Sequence, residues 1–212
     1  MATIKNGIHG AFSGKVGKVV GYVSKGKGVM RTQGERTTAP TEKELLNREK
    51  FATSQKWLKP LTDFLRVGFQ DYQPTYEGFV AAKSYNQKHA LQTTEDNKFF
   101  IDPALALVSF GQQPLPLEIN VECREGQELF FTWSKEGNYA YNDHVMALAY
   151  DCDSEEFFAR YRTSIGLRSH GSATFQLEKS QQGRSFHVYI AFVSDDRRNR
   201  TNSKYLGKLT LI

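Results

Sequence analysis

The chain has 212 residues, 39% of them hydrophobic and 24% charged, with a net charge of +5 and only two cysteines. That length suits one large or two small domains with a real core, and two cysteines are too few for a disulfide-dependent secreted module. No run approaches the roughly 18 apolar residues that span a bilayer, and the first residues lack an apolar signal core, so a cytoplasmic protein is the default expectation unless a leaderless route exports it.

The first 36 residues stand apart from the rest. Glycine recurs at Gly7, Gly10, Gly14, Gly17, Gly21, Gly26 and Gly28, between short apolar or β-branched pieces. Lys5, Lys15, Lys18, Lys25, Lys27, Arg31 and Arg36 face a single acid, Glu35, so about the whole charge excess sits here. Such a segment cannot make its own core, yet it holds too many β-formers for a flexible tail. It reads as a strand-forming arm: Lys15 to Val23 extended, a turn at Lys25–Gly28, and a return through Val29–Arg31, as a hairpin or arch. Glycines Gly10 and Gly14 before Lys15 resemble a phosphate loop superficially. The G-x-x-x-x-G-K-[ST] pattern is missing, because Lys15 is followed by Val16.

Thr32 to Pro40 is a polar linker. Thr41 and Glu44 then form a capping box, opening a helix with Leu45, Leu46, Phe51, Trp57 and Leu58 as its expected buried positions. Pro60 kinks it or starts a second segment that buries Leu61, Phe64, Leu65 and Phe69 and ends near Gly68. A turn at Asp71–Pro74 leads to a further helix, capped by Thr75, with Phe79, Ala82, Tyr85 or Asn86, and Ala90 near a 3.6-residue period.

From about Phe99 the pattern changes to short strands. Expected strands are 104–110, 117–121, 128–133, 144–150, 157–161, 173–177, 184–193 and 205–211. In the strand 184–193, Phe186, Val188, Ile190 and Phe192 are expected to face in, and Ser185, His187, Tyr189 and Ala191 out. Trp133 is an expected core residue. Strands at this spacing imply a β-sandwich. The expected fold is α+β, mainly β: a glycine-rich β-arm and helical region over residues 1–98, and an antiparallel sandwich over 99–212. The sequence of features in the second half resembles a fibronectin-type-III or immunoglobulin-like domain, with Phe130–Trp133 as the Trp-bearing second strand and Ser185–Ser194 as the sixth. Phe186 stands where the sixth-strand Tyr of that pattern is usual.

The arm sequence G-I-H-G-A-F-S-G-K-V-G-K-V-V-G, with S-K-G-K-G-V-M-R after it, resembles the opening of an uncharacterised family of Bacteroidetes proteins of about this length. Pro60, Gly68–Phe69, Ala81–Asn86 and Ser109–Gly111 fit the same family. The resemblance implies no activity and supplies no catalytic residues.

Motifs for chemistry are sparse. His9, His89, His144, His170 and His187 show no H-x-H or H-x-x-x-H spacing, so they bind a metal only where the fold gathers them. Asp143–His144 has no accompanying nucleophile motif. Asp151 to Glu156 is acidic but lacks the calcium-loop glycine and terminal Glu, and reads as a solvated turn. Cys123 and Cys152 read as buried inert thiols. No catalytic, cofactor-binding or metal-binding residue is expected. The expected function is a non-enzymatic structural protein that associates with itself through Gly10, Phe12, Gly14, Val16, Gly17, Val19, Val20, Gly21, Tyr22 and Val23, because glycine-rich strands make good donors to a sheet edge. Packing of the arm on its own chain is an equal alternative. Nucleic acid or another polyanion is the other candidate partner, contacted by Lys15, Lys18, Lys25, Lys27 and Arg31 and by Arg197, Arg198 and Arg200 in a loop whose Asp and Arg side chains also suit local pairing.

Overall fold

The computed structural model describes residues 3–4, 10–35, 37–70, 77–137 and 139–211. The expected turn at Asp71–Pro74, the cap Thr75, and Lys5, Gly7, His9 and Arg36 of the arm lie outside the described residues. The chain divides into two compact units, residues 1–44 and 45–212. Both sides of the expected 98/99 division lie in the second unit.

In the first unit the arm folds on itself. Strands β1 (Thr3–Ile4), β2 (Phe12–Val16), β3 (Val19–Ser24) and β4 (Lys27–Thr32) form an antiparallel sheet in that order. The extended piece expected from Lys15 to Val23 is broken at Gly17-Lys18, where Gly17 has φ +58°. The second turn is Lys25-Gly26, with φ 51° and 77°. Two successive positive φ values match the twist of a two-residue hairpin and place the return strand earlier than expected, at Lys27. Gly21 is the one fully buried position among the described residues 3–44. The Phe12 ring lies over it so closely that a Cβ there would sit 2.5 Å from the ring edge.

The second unit is built on two stacked sheets and a helical layer. Helix α1 (Glu42–Leu58) opens on the expected capping box: the Thr41 N–H donates to Glu44 Oε2 at 2.9 Å, and the Glu44 N–H to Thr41 Oγ1 at 3.4 Å. It buries only Ser54, Trp57 and Leu58, near its end. Leu45, Leu46 and Phe51, expected in the core, are exposed; the Lys83 ammonium rests 3.7 Å above the Phe51 ring. Pro60 sits in a short 3-10 turn that feeds α2 (Thr62–Gly68), where a missing N–H costs nothing. Leu61, Phe64, Leu65 and Phe69 are fully buried, as expected. Gly68, the last residue of α2, lets the chain pass close by: a Cβ there would overlap the Val108 carbonyl oxygen. Helix α3 (Gly78–His89) buries Ala81, Ala82 and Asn86. The Asn86 amide accepts from the Leu107 N–H and donates to the Leu107 carbonyl, both at 2.8 Å. That side chain meets backbone needs a ladder would otherwise meet, so residues 104–110 run as an irregular segment that buries Ala106, Val108 and Ser109, not the expected strand. A small hairpin, β5 (Leu91–Thr93) with β6 (Phe99–Ile101), precedes it.

The sandwich itself has a three-stranded sheet in the order β11 (Ser172–Gln176), β8 (Glu128–Thr132), β7 (Asn120–Arg124). Opposite lies a four-stranded sheet in the order β10 (Phe158–Arg162), β9 (His144–Asp151), β12 (Ser185–Val193), β13 (Lys204–Thr210). All these pairs are antiparallel. Phe186, Val188, Ile190 and Phe192 point inward against Leu129, Phe131 and Trp133, as the alternation predicts. The other face of β12 departs from expectation. Tyr189 and Ala191, read as outward-facing, are fully buried together with Met146, Leu148 and Tyr150, because Trp57, Leu58 and Phe64 of the helical layer share their core. Two buried phenols fasten the layers: Tyr150 donates to the Trp57 carbonyl at 2.5 Å and Tyr189 to the Pro103 carbonyl at 2.7 Å. Among the described residues no helix is long and apolar enough to cross a membrane.

Candidate functional site

The strand register of the arm sorts its residues by face, since directly paired residues point the same way. Val16 pairs with Val19 and Val19 with Thr32; Gly14 pairs with Gly21 and Gly21 with Met30; Val23 pairs with Gly28. With Phe12 over Gly21, this face holds no charge, and Val16, Val23 and Met30 on it are 57%, 57% and 68% exposed. The opposite face pairs Lys15 with Val20, Val20 with Arg31, Tyr22 with Val29 and Ser24 with Lys27. There the Arg31 guanidinium lies 5.8 Å over the Tyr22 ring, a cation–π contact. Lys18 and Lys25 occupy the two turns. So the arm residues singled out by sequence are gathered into one small sheet, but split between an apolar face and a basic one.

The arginine loop is not a uniform anion surface. Arg200 is only 4% exposed, and its guanidinium donates to the carbonyls of Gln70 and Arg197. It therefore braces the loop against the end of α2 and is corrected from a surface contact to a structural one. Arg198 remains exposed beside Asp196, whose carboxylate accepts from Ser194 Oγ and the Arg198 N–H. These local bonds hold the Asp196 carboxyl below its ordinary range. Arg197 lines a groove with Arg66 and Gln70.

Asp143 and His144, neighbours in sequence, serve different surroundings. Asp143 is fully buried, which pushes its carboxyl up, with the nearby Arg168 charge opposing that shift. His144 lies between Ser164 Oγ at 2.9 Å from Nδ1 and Asp195 Oδ1 at 3.1 Å from Nε2. A Ser–His–Asp chain of this kind has the atoms of a nucleophile relay, but the Asp195 side chain is 63% exposed. A relay needs a sheltered acid.

The one cluster with metal-ligand chemistry among the described residues is Cys152, Asp153 and His187, whose donor atoms lie within 4.8 Å of one another. It sits at a cleft of about 440 Å³ with Trp57, Phe99 and Phe157 on its walls. His187 Nδ1 meets the Tyr205 hydroxyl at 2.8 Å and Nε2 meets Asp153 Oδ2 at 3.1 Å. The Lys208 ammonium, 2.6 Å from the same oxygen, holds the Asp153 carboxyl below its ordinary range, and His187 adds to this. Burial, with the Asp153 charge beside it, pushes the Cys152 thiol up to about 12. Cys152 and Cys123, expected to be buried, are both half-buried, and neither is in a disulfide. The grouping is not visible in the sequence because His187 lies 34 residues beyond Asp153. The strand register was the signal: His187 pairs with Tyr150, two positions before Cys152, the diagonal neighbour across a ladder.

A mainly β, α+β protein with a basic glycine-rich sheet ahead of a helix-covered sandwich is therefore the class that fold and sites define. The chain belongs to a family of unknown function, DUF6266, whose pattern matches residues 11–207. No curated protein matches it. A solved structure described as "Myokine structure" is similar over 47% of this chain and 98% of that one, at 11% identity and a TM-score of 0.32, a likeness too slight to assign the fold.

Proposed function

We propose that the protein is a non-enzymatic structural or interaction protein that assembles with copies of itself, as a filament or closed oligomer, through the arm sheet. The observation that carries this reading is the uncharged face around Phe12, Val16, Val23 and Met30 on a sheet with no core of its own. Four strands with one open apolar face are half a sandwich, and a second copy of that face is a self-complementary cover. Burying each large side chain contributes roughly 1.5–3 kcal/mol. The free edges β1 and β4 offer unpaired backbone groups for further addition. Three-plus-four strands in the second unit support a fibronectin-type-III-like reading of the sandwich, a scaffold that presents such an arm.

Light scattering on the full-length protein is expected to show a large species, reduced to a monomer by deleting residues 1–36 while the sandwich stays folded. Val23→Lys with Met30→Lys should do the same, and removal of the turn lysine Lys25 should not. A monomeric full-length protein at high concentration, with no particles by electron microscopy, would end the assembly reading.

A second reading, polyanion binding, is favoured by the other face, where Lys15, Lys27 and Arg31 accompany Tyr22. Cations interleaved with an aromatic ring suit a nucleic-acid backbone with stacked bases. Its mark is binding to single-stranded nucleic acid at physiological salt, with a log–log salt slope made shallower by Lys15→Gln and Arg31→Gln. Binding that vanishes at that salt, or a slope unmoved by these changes, excludes it.

A further inference from the structure

We infer that Cys152, Asp153 and His187 form a site for a borderline divalent cation of the zinc type, with its open coordination position facing the aromatic cleft. Thiolate, imidazole and carboxylate are the zinc donor types, and three protein donors leave a fourth position for water or an incoming ligand. Bonds of about 2.0–2.3 Å in a tetrahedron place donors roughly 3.5 Å apart. The present separations reach 4.8 Å. Closing that gap falls to Cys152 and Asp153, which leave the end of β9, while His187 stays fixed within β12.

Two features around the cluster are those of an outer shell. The Tyr205 hydroxyl sits on His187 Nδ1 and orients the ring with Nε2 toward Cys152 and Asp153. The Trp57 indole N–H is buried in the cleft wall and has no acceptor at full hydrogen-bond geometry; the Cys152 sulfur on the same cleft is the acceptor nearest to serving it. A neutral thiol is a poor acceptor; a metal-bound thiolate would give this buried donor its partner. A cation already rests on Asp153, namely the Lys208 ammonium, and the Lys208 side chain is 49% exposed. It can swing into water as the metal takes its place, with the thiol proton released to solvent.

The test is a titration of reduced full-length protein with Co²⁺ and then Zn²⁺. One equivalent of Co²⁺ should produce thiolate-to-cobalt charge-transfer absorption and the strong ligand-field bands of four-coordination, both displaced by Zn²⁺. Cys152→Ser should abolish the charge-transfer band, and His187→Gln should weaken binding roughly 10–100-fold or more, the loss that even an outer-shell change causes. Lys208→Met, a change at a half-exposed side chain, should tighten binding several-fold by freeing the carboxylate. Absence of the charge-transfer band at millimolar Co²⁺, or its persistence in Cys152→Ser, overturns the site. Unchanged affinity in Lys208→Met removes Asp153 from it and overturns the three-donor assignment.

Discussion

Replacing Trp133 by alanine should destabilise the second unit by roughly 3–5 kcal/mol, the range for deleting a fully buried large aromatic ring. The side chain is 5% exposed and meets Phe192 edge to face at 5.4 Å between centroids. Its indole N–H donates at 2.8 Å to the carbonyl of Arg168, itself a buried residue, whose own N–H donates to the Asp143 carbonyl. Alanine would therefore leave a cavity between the sheets and an orphaned carbonyl behind it. Trp133→Phe should cost less, since most of the volume is kept and about 1 kcal/mol reflects the lost hydrogen bond plus the smaller ring. Urea unfolding checks both: the midpoint should fall with the slope unchanged. An alanine variant as stable as the parent would mean that Trp133 does not hold the two sheets together.

What was legible in the sequence was local. The Thr41–Glu44 box, the turn role of Pro60 and the inward set Phe186, Val188, Ile190 and Phe192 depend on neighbours within a few positions, and each appears in the structure. The outer face of β12 departs from expectation because alternation reports one apolar face only when the other is plainly polar. Tyr189 and His187 carry polar tips, and both are buried once those tips are bonded, Tyr189 to Pro103 and His187 to Tyr205. The change from helical to strand pattern near Phe99 is a change of layer, since residues on both sides of it share one core. Leu45, Leu46 and Phe51 show the opposite error: apolar residues on a helix face are buried only where something lies over them. The Cys152–Asp153–His187 grouping required the β9–β12 register, which no spacing rule reveals in advance.

The core shared by the helical layer and the sandwich governs how a truncated protein behaves. Residues 45–212 should fold as a monomer with one cooperative transition, whereas residues 99–212 should not. In the shorter fragment the outer face of β9 and β12 loses its cover, exposing Met146, Leu148, Tyr150, Tyr189 and Ala191, all fully buried in the complete unit. At roughly 1.5–3 kcal/mol for each large side chain, the lost burial is comparable to the about 5–15 kcal/mol that holds a whole domain folded. The Tyr150 hydroxyl would also lose the Trp57 carbonyl. Its pKa is pushed up by burial in the intact unit, so in the fragment it should return toward that of an exposed tyrosine. The 99–212 fragment should thus bind a hydrophobic dye, associate through the bared sheet face and lose its cooperative transition, while far-ultraviolet circular dichroism still reports strands. Adding residues 45–98 in trans should suppress dye binding. If 99–212 is instead a monomer that unfolds with the cooperativity and midpoint of 45–212, the helical layer is an appendage to the sandwich and not part of its core.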